Sequence, residues 1–125
     1  MCWPARESIY KGHIADAEKA HAAVANTIAA FEPLTLLVTP ASVSSAQKLC
    51  SSSVEMITLD MDDAWFRDTG PIYTKDYYPS GEVEVVATDW EFNGWGGKFR
   101  PFDRDASLAR RFAELRSHKL EPVPV

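Results

Sequence analysis

Apolar residues recur at steps of three and four over residues 14–31, an alanine-rich segment that stops shortly before Pro33. Residues at this spacing share one face of an α-helix, and a following proline is a common stop signal. The pattern predicts a helix over residues 14–31 whose apolar face consists of Ala17, Ala20, Val24, Ile28 and Phe31.

A second helix is predicted over residues 103–116. Its N-terminal cap is expected to be Asp103, because a carboxylate can accept the unpaired backbone N–H groups of a first helical turn. The apolar residues Leu108, Ala109, Phe112 and Leu115 then share one face of this helix.

Short apolar stretches between the two helices predict strands. "LTLLV" (residues 34–38) is bounded by prolines and suits a strand buried on both faces, and "VEMITL" (residues 54–59) alternates as a half-buried strand does. A short helix is predicted between them over residues 41–49. "GPIYT" and "VEVVATDW" predict a hairpin joined by a loop with Pro79 and Gly81. The order of elements indicates that residues 1–125 are a contiguous N-terminal piece of one α/β domain, ending at the start of a further strand over residues 123–125.

Composition narrows the function classes. The chain has 125 residues, of which 46% are hydrophobic and 25% charged, which is typical of a soluble globular protein. A net charge of -5 argues against a nucleic-acid partner and suits a cationic ligand. No apolar run approaches the roughly 18 to 20 residues of a membrane span and no secretory signal opens the chain, so we expect a cytoplasmic protein without a membrane partner. Cys2 and Cys50 match no disulfide framework or zinc motif.

The stretch "DDAWFRDTGP" (residues 62–71) sets an indole and a guanidinium among carboxylates. The Asp68 carboxylate could bind a guanidinium through two parallel hydrogen bonds, and the face of the Trp65 ring could attract the same cation. A purely structural interpretation is also open at this point. In it, Trp65 belongs to the core, Arg67 pairs with Asp62 or Asp63, and Asp68 caps a turn.

A second aromatic stretch, "DWEFNGWGGKF" (residues 89–99), carries two more indoles, Trp90 and Trp95. Its glycines permit backbone conformations that other residues avoid, but their spacing is not that of a phosphate-binding loop. The stretch is either part of a ligand pocket or an aromatic-rich turn at a sheet edge.

These motifs, together with "WP" at residues 3–4, "IAAFEPLTLLV" at 28–38 and "DRDASLARRFAE" at 103–114, resemble the agmatine deiminases, a family that includes bacterial-type peptidylarginine deiminases. The resemblance implies an α/β propeller of pentein-type repeated β/α modules, of which this chain would be the early ones. It also implies hydrolysis of agmatine to N-carbamoylputrescine and ammonia, on a route to putrescine.

The resemblance further assigns roles to residues. Asp68 is expected to hold the substrate guanidinium, with Trp65 and Trp95 lining the pocket, and the expected supporting residues are Asp63, Arg67 and Asn93. The family's chemistry needs no metal or organic cofactor: a Cys thiolate attacks the guanidinium carbon, a His acts as acid and base, and water resolves the thiouronium intermediate.

The family's nucleophilic Cys and its catalytic Glu, His and Asp come from regions downstream of the part matched here. We therefore expect this chain alone to be inactive, with self-association or completion by further deiminase modules covering its exposed sheet edges. We expect no catalytic role for His13, His21, His118 or Cys50, which are ordinary surface or core residues in this interpretation. Cys2 lies next to the "WP" motif, but nothing in the sequence suggests that it replaces the nucleophile. The alternatives are a catalytically dead module that binds guanidino ligands, a peptidylarginine deiminase activity, and a purely structural α/β domain.

Overall fold

The computed structural model describes residues 1–123, and its contacts divide the chain into two compact units, Met1–Phe66 and Arg67–Val125. The first unit begins with a short helix and continues as alternating helices and strands. Its elements are α1 (Glu7–Tyr10), α2 (Ile14–Ala29), β1 (Leu34–Val38), a 3-10 turn (Pro40–Ser42), α3 (Val43–Leu49) and β2 (Val54–Thr58).

Strands β1 and β2 run parallel, in a register that pairs Leu34 with Val54. Strand β1 is central, because Leu37 also forms a bridge with Cys2 in addition to its pairing with β2. The predicted strands over residues 34–38 and 54–59 are confirmed, and the apolar run of β1 is explained by burial of Leu36, Leu37 and Val38.

The core of the first unit forms around Trp3, which is 0% exposed. Its indole N–H is directed at Glu18 Oε1 on α2 and at Ser45 Oγ on α3, at 3.1 Å from each, and Ser45 Oγ donates to the same Glu18 oxygen at 2.7 Å. A buried indole N–H needs such acceptors. The "WP" motif therefore links the N-terminal segment beside β1 to both long helices of the unit.

The buried face of α2 differs from the predicted one. Ala22 and Ala25 are buried, whereas Ala20 and Val24 are exposed, and Phe31 is exposed beyond the end of the helix. Alanines allow a helix to approach its neighbours closely, and the hydrogen bonds of Glu18 turn that polar residue toward Trp3. The predicted apolar face of α2 was therefore wrong, although the helix itself is confirmed.

The second unit is a small mixed sheet with helices. The short helix α4 (Phe66–Thr69) contains the boundary between the units in the sequence. The elements that follow it are β3 (Ile72–Tyr77), β4 (Val83–Trp90), α5 (Gly94–Gly97), α6 (Asp103–Ala106), α7 (Leu108–Leu115) and β5 (Lys119–Val123). The predicted hairpin is confirmed as the antiparallel pair β3 and β4, and β5 lies parallel to β4 on its other side.

The core of the second unit is formed by α7 against the sheet. Its buried apolar residues are Val86, Ala87, Leu108, Ala109, Phe112 and Ala113. The three- and four-residue spacing of α7 places its buried side chains on one face of the helix. Val86 and Ala87 are consecutive on β4 and point to opposite faces of the sheet, and both are buried. The remaining positions of the hairpin are largely exposed.

The helix predicted over residues 103–116 is two helices, α6 and α7, that break at Ser107. The hydroxyl of Ser107 donates to the backbone oxygen of Arg104 at 3.1 Å, and the Arg111 guanidinium donates to the same oxygen at 2.8 Å. Side-chain donors of this kind compete with continuous helical hydrogen bonding. Asp103 is the first residue of α6 and Phe102 is its N-cap, so the predicted cap was wrong.

Strand β5 starts at Lys119, earlier than the strand predicted over residues 123–125. Charged residues and Pro122 obscure the strand pattern, although a proline is tolerated on the outer edge of a sheet. Residues 124 and 125 of the predicted strand lie outside the described residues. No helix in the described part of the chain is long and apolar enough to cross a membrane.

A left-handed turn follows β4. All four residues of α5 have positive φ: Gly94 (67°), Trp95 (53°), Gly96 (76°) and Gly97 (74°). The turn is closed by Asn93, whose Oδ1 accepts from the Gly96 N–H at 2.8 Å. Glycine adopts this conformation readily, whereas for a residue with a Cβ it costs roughly 1–2 kcal/mol. The glycine-rich motif is therefore explained by backbone handedness.

Replacing Ser45 with Ala is expected to lower the free energy of unfolding by about 1–3 kcal/mol, because the change removes a hydrogen bond to a carboxylate and an acceptor of the buried Trp3 N–H. Urea unfolding followed by far-UV circular dichroism measures the loss. The control is Ser44→Ala, an exposed position on the same helix, which is expected to be nearly neutral. Equal stabilities of the two variants would contradict this role of Ser45.

Replacing Gly94 with Ala is expected to destabilise the chain by about 1–3 kcal/mol more than Gly96→Ala does. Both residues have positive φ, but a Cβ at Gly94 would lie 2.5 Å from Phe102 Cδ1 and 2.7 Å from the Phe99 oxygen, while a Cβ at Gly96 meets nothing within 4 Å. The comparison isolates the clash from the backbone strain. Urea midpoints that coincide for the two variants would refute the close approach.

Candidate functional site

The candidate residues fall in both units. Asp63 and Trp65 belong to the first unit, and Arg67, Asp68, Asn93 and Trp95 belong to the second. In the first unit, the Trp65 indole N–H donates to Asp63 Oδ2 at 2.7 Å. Asp63 is 2% exposed, whereas Trp65 is 41% exposed. The structural interpretation in which Trp65 belongs to the core is therefore wrong: a buried carboxylate holds its N–H edge while much of the ring is open to solvent.

Tyr10, the last residue of α1, lies against the same carboxylate. Burial raises the pKa of Tyr10 to about 12, assisted by the charge of Asp63 and by a hydrogen bond to it. The phenol therefore stays protonated at neutral pH, and its O–H donates a hydrogen bond to Asp63. The folded-state pKa of Tyr10 lies above the usual 10. The contribution of the protonated phenol to the stability of the folded chain is therefore fully present below pH 10 and is lost as the pH rises toward 12.

Helix α1 makes a second polar contact with the same segment. Arg6, the N-cap of α1, lies 3.8 Å from Asp62, and both side chains are largely buried. Arg6 directly precedes α1 and Tyr10 is its last residue, so the two residues flank the same short helix. The structural interpretation pairs Arg67 with Asp62 or Asp63, whereas the structure pairs Asp62 with Arg6. Sequence reasoning missed both Arg6 and Tyr10, and the only signal was their i, i+4 spacing.

In the second unit, Arg67 and Asp68 lie on the one-turn helix α4, which starts directly after Trp65. Both side chains are exposed, whereas Thr69 in the same turn is buried. The anchored threonine and the following Gly70-Pro71 pair fix one side of the turn and leave the Asp68 carboxylate facing water. A carboxylate in this position can accept an external donor.

Trp95 is placed by an aromatic cluster in the second unit. Its ring meets Phe92 edge to face, with centroids 5.0 Å apart, and Phe99 at 5.5 Å. Phe92 in turn lies edge to face with Phe102 at 6.2 Å. Trp95 remains 39% exposed. The left-handed turn and these rings together present part of one indole surface to solvent.

Asp89 and Trp90, at the end of β4, make contacts that suit a structural role. Asp89 is buried and pairs with Arg110 at 3.3 Å, and the Trp90 indole donates to Thr88 Oγ1 at 3.1 Å. The "DW" of the second motif therefore connects the end of β4 to α7. Asn93 acts on the backbone by closing the left-handed turn.

The burial and contacts of the cysteines and histidines suit a structural role. Cys2 is buried next to β1, and burial raises the pKa of the Cys50 thiol. His118 Nδ1 and the Tyr73 hydroxyl are 2.7 Å apart on the second unit, and His13 pairs with Asp16 on the surface. Among residues 1–123, no three potential ligands from His, Cys, Asp and Glu group together as a metal site would require.

Comparison with known proteins identifies relatives along nearly the whole chain. The agmatine deiminase of Ectopseudomonas mendocina is 36% identical over 124 residues, covering 95% of this chain and 33% of the relative. That of Pseudomonas fluorescens is 38% identical over 120 residues, covering 92% of this chain and 32% of the relative. The chain thus spans about a third of the length of the curated relatives it matches.

Solved structures show the same similarity. An agmatine deiminase of Enterococcus faecalis superposes with a TM-score of 0.84 at 25% identity, covering 98% of this chain and 34% of that one. This confirms the predicted α/β class, with the propeller-like modules of the pentein fold. The family model described as Porphyromonas-type peptidyl-arginine deiminase matches residues 1–124. With nearly every residue inside that match, the chain belongs to the Porphyromonas-type peptidyl-arginine deiminase family.

Proposed function

We propose that this chain supplies part of the guanidinium-binding site of an agmatine deiminase-like hydrolase. Such an enzyme converts agmatine and water to N-carbamoylputrescine and ammonia, as a step toward putrescine. The observation that carries the proposal is the exposed Asp68 carboxylate on a helical turn that begins directly after Trp65, whose N–H edge is held by a buried carboxylate. Trp95 is proposed to contribute a second aromatic surface.

The chemistry of these groups suits a guanidinium. A carboxylate accepts two parallel N–H bonds from its planar fork, and an indole face attracts its delocalised charge. The N–H of Trp65 is already bonded to Asp63, so the exposed face of the ring is what this residue offers to a ligand. The net charge of -5 also favours the approach of a cation. Arg67, Asp63 and Asn93 are proposed as supporting residues.

The proposed chemistry needs a thiolate, and neither cysteine here suits that role. In the reaction, the thiolate bonds to the guanidinium carbon, a C–N bond breaks as the nitrogen leaves as ammonia, and water then displaces the sulfur. Cys2 is buried, and the raised pKa of Cys50 keeps it a neutral thiol. We therefore propose that residues 1–125 bind without turning over, in the cytoplasm, with the reaction completed by further deiminase modules or by self-association.

A peptidyl-arginine substrate is the second candidate, because the matching family model carries that description. Agmatine and peptidyl-arginine share the guanidinium and differ at the far end of the ligand. The relatives at 36% and 38% identity are named agmatine deiminases, which favours agmatine. A catalytically inactive module that binds either ligand is consistent with the same surface.

Replacing Asp68 with Asn is expected to weaken agmatine binding by about 10- to 100-fold, because the change removes a charged acceptor of two hydrogen bonds. Isothermal titration calorimetry on the 125-residue chain measures the affinity. Asp103→Asn is the control, since Asp103 is also an exposed carboxylate in the first turn of a short helix of the second unit. An unchanged affinity in the Asp68 variant would remove this residue from the site.

Ammonia release from agmatine is expected to stay at background for the chain and for its Cys2→Ser, Cys50→Ser double variant, because neither thiol is poised as a thiolate. A coupled ammonia assay over several hours makes the comparison. Ammonia from the native chain that disappears in the double variant would show that one of these thiols is the nucleophile, contrary to the proposal.

A further inference from the structure

We infer that Tyr10 is a positioning residue that fixes the orientation of the Trp65 indole through Asp63. The inference rests on the proposed guanidinium site, since it says what holds one wall of that site in place. Tyr10 is not among the residues proposed to bind the ligand. Its action passes through one carboxylate to one exposed ring.

The chain of contacts has two links. The first is the 2.7 Å hydrogen bond from the Trp65 indole N–H to Asp63 Oδ2. The second is the hydrogen bond from the Tyr10 hydroxyl to the same carboxylate, where burial and the nearby negative charge keep the phenol protonated. Two donors therefore converge on one side chain that is 2% exposed.

Helix α1 is held against this segment at its other end as well. Arg6 precedes the helix and pairs with Asp62, the residue next to Asp63, while Lys11 ends the helix in a left-handed conformation. Residues at both ends of α1 therefore contact the consecutive aspartates Asp62 and Asp63. This arrangement gives the Tyr10 hydroxyl a fixed place relative to Asp63.

The physical consequence falls on Trp65. The Trp65 ring is 41% exposed, so packing restricts it only in part, and the hydrogen bond of its N–H edge contributes to its orientation. Each donor restricts the orientation of the buried carboxylate, so a carboxylate that loses one of them is freer to turn. Loss of the Tyr10 hydroxyl would loosen Asp63 and, through it, the ring. Ligand binding would then have to order that ring again.

The test follows the indole N–H of Trp65 by NMR on the 15N-labelled chain without ligand, with the resonance assigned by its loss in Trp65→Phe. Tyr10→Phe is expected to accelerate hydrogen exchange of this N–H by about 5-fold or more. Asp63→Asn, which replaces the charged acceptor of the Trp65 N–H with a weaker neutral amide oxygen, is expected to do the same. The control is Tyr78→Phe, which removes a comparable hydroxyl to carboxylate bond (Tyr78 to Glu84, 2.8 Å) in the second unit.

Folding is monitored in the same spectra, because the buried Trp3 N–H gives an internal reference for the first unit. If one of the two variants loses the Trp3 resonance, the other decides, since each removes or weakens one link of the same chain. Unchanged exchange at Trp65 in a folded Tyr10→Phe or Asp63→Asn chain would overturn the inference.

Agmatine titration then separates positioning from binding. Tyr10→Phe is expected to weaken affinity by about 3- to 10-fold, the effect of ordering one side chain on binding, while Tyr78→Phe leaves it unchanged. Faster exchange without any loss of affinity would overturn the positioning role. A native chain that binds no agmatine but still shows faster exchange in Tyr10→Phe would refute the proposed function and keep the link from Tyr10 to Trp65.

Discussion

The buried carboxylate of Asp63 imposes a constraint that organises the segment after β2. An ionised group removed from water costs several kcal/mol unless hydrogen-bond donors compensate it. Two of its donors are the Trp65 indole and the Tyr10 hydroxyl, from opposite ends of the first unit's sequence, while the Oδ1 atom of Asp63 has no hydrogen-bond partner in the described part of the chain. One electrostatic requirement therefore joins a short N-terminal helix to the start of the candidate site. Trp65 is oriented through its polar edge while much of its apolar face stays in solvent.

The second unit orients an indole by a different physical means. Trp95 lies in a left-handed turn, where steric limits on the backbone and edge-to-face contacts with Phe92 and Phe99 determine its position. Gly94 permits this arrangement because any side chain there would collide with Phe102. Residues in strained conformations persist where the surroundings over-determine them, and they concentrate at functional sites. The two exposed indoles are thus held by electrostatics in one unit and by sterics in the other.

The sequence predicted most strands and helices, because apolar runs and alternation directly reflect burial in a sheet. It misjudged the buried face of α2, since hydrophobicity favours Val24 over Ala22, whereas close packing favours the smaller residue. The break at Ser107 depends on a hydroxyl that competes with the backbone, which periodicity does not register. The roles of the motif residues Trp65, Asp68 and Trp95 came from resemblance and remain predictions. Tyr10 was missed because its partner is distant along the chain.

The left-handed turn at residues 94–97 has a consequence at the level of the gene. Three of its four residues are glycine, and glycine codons have GG at their first two positions, so a missense change at either of these bases introduces a residue with a Cβ. Each such change places an L-amino acid where φ is positive, and at Gly94 it also places atoms where Phe102 already lies. This segment of the protein therefore has little room for neutral drift, whatever ligand its tryptophan meets.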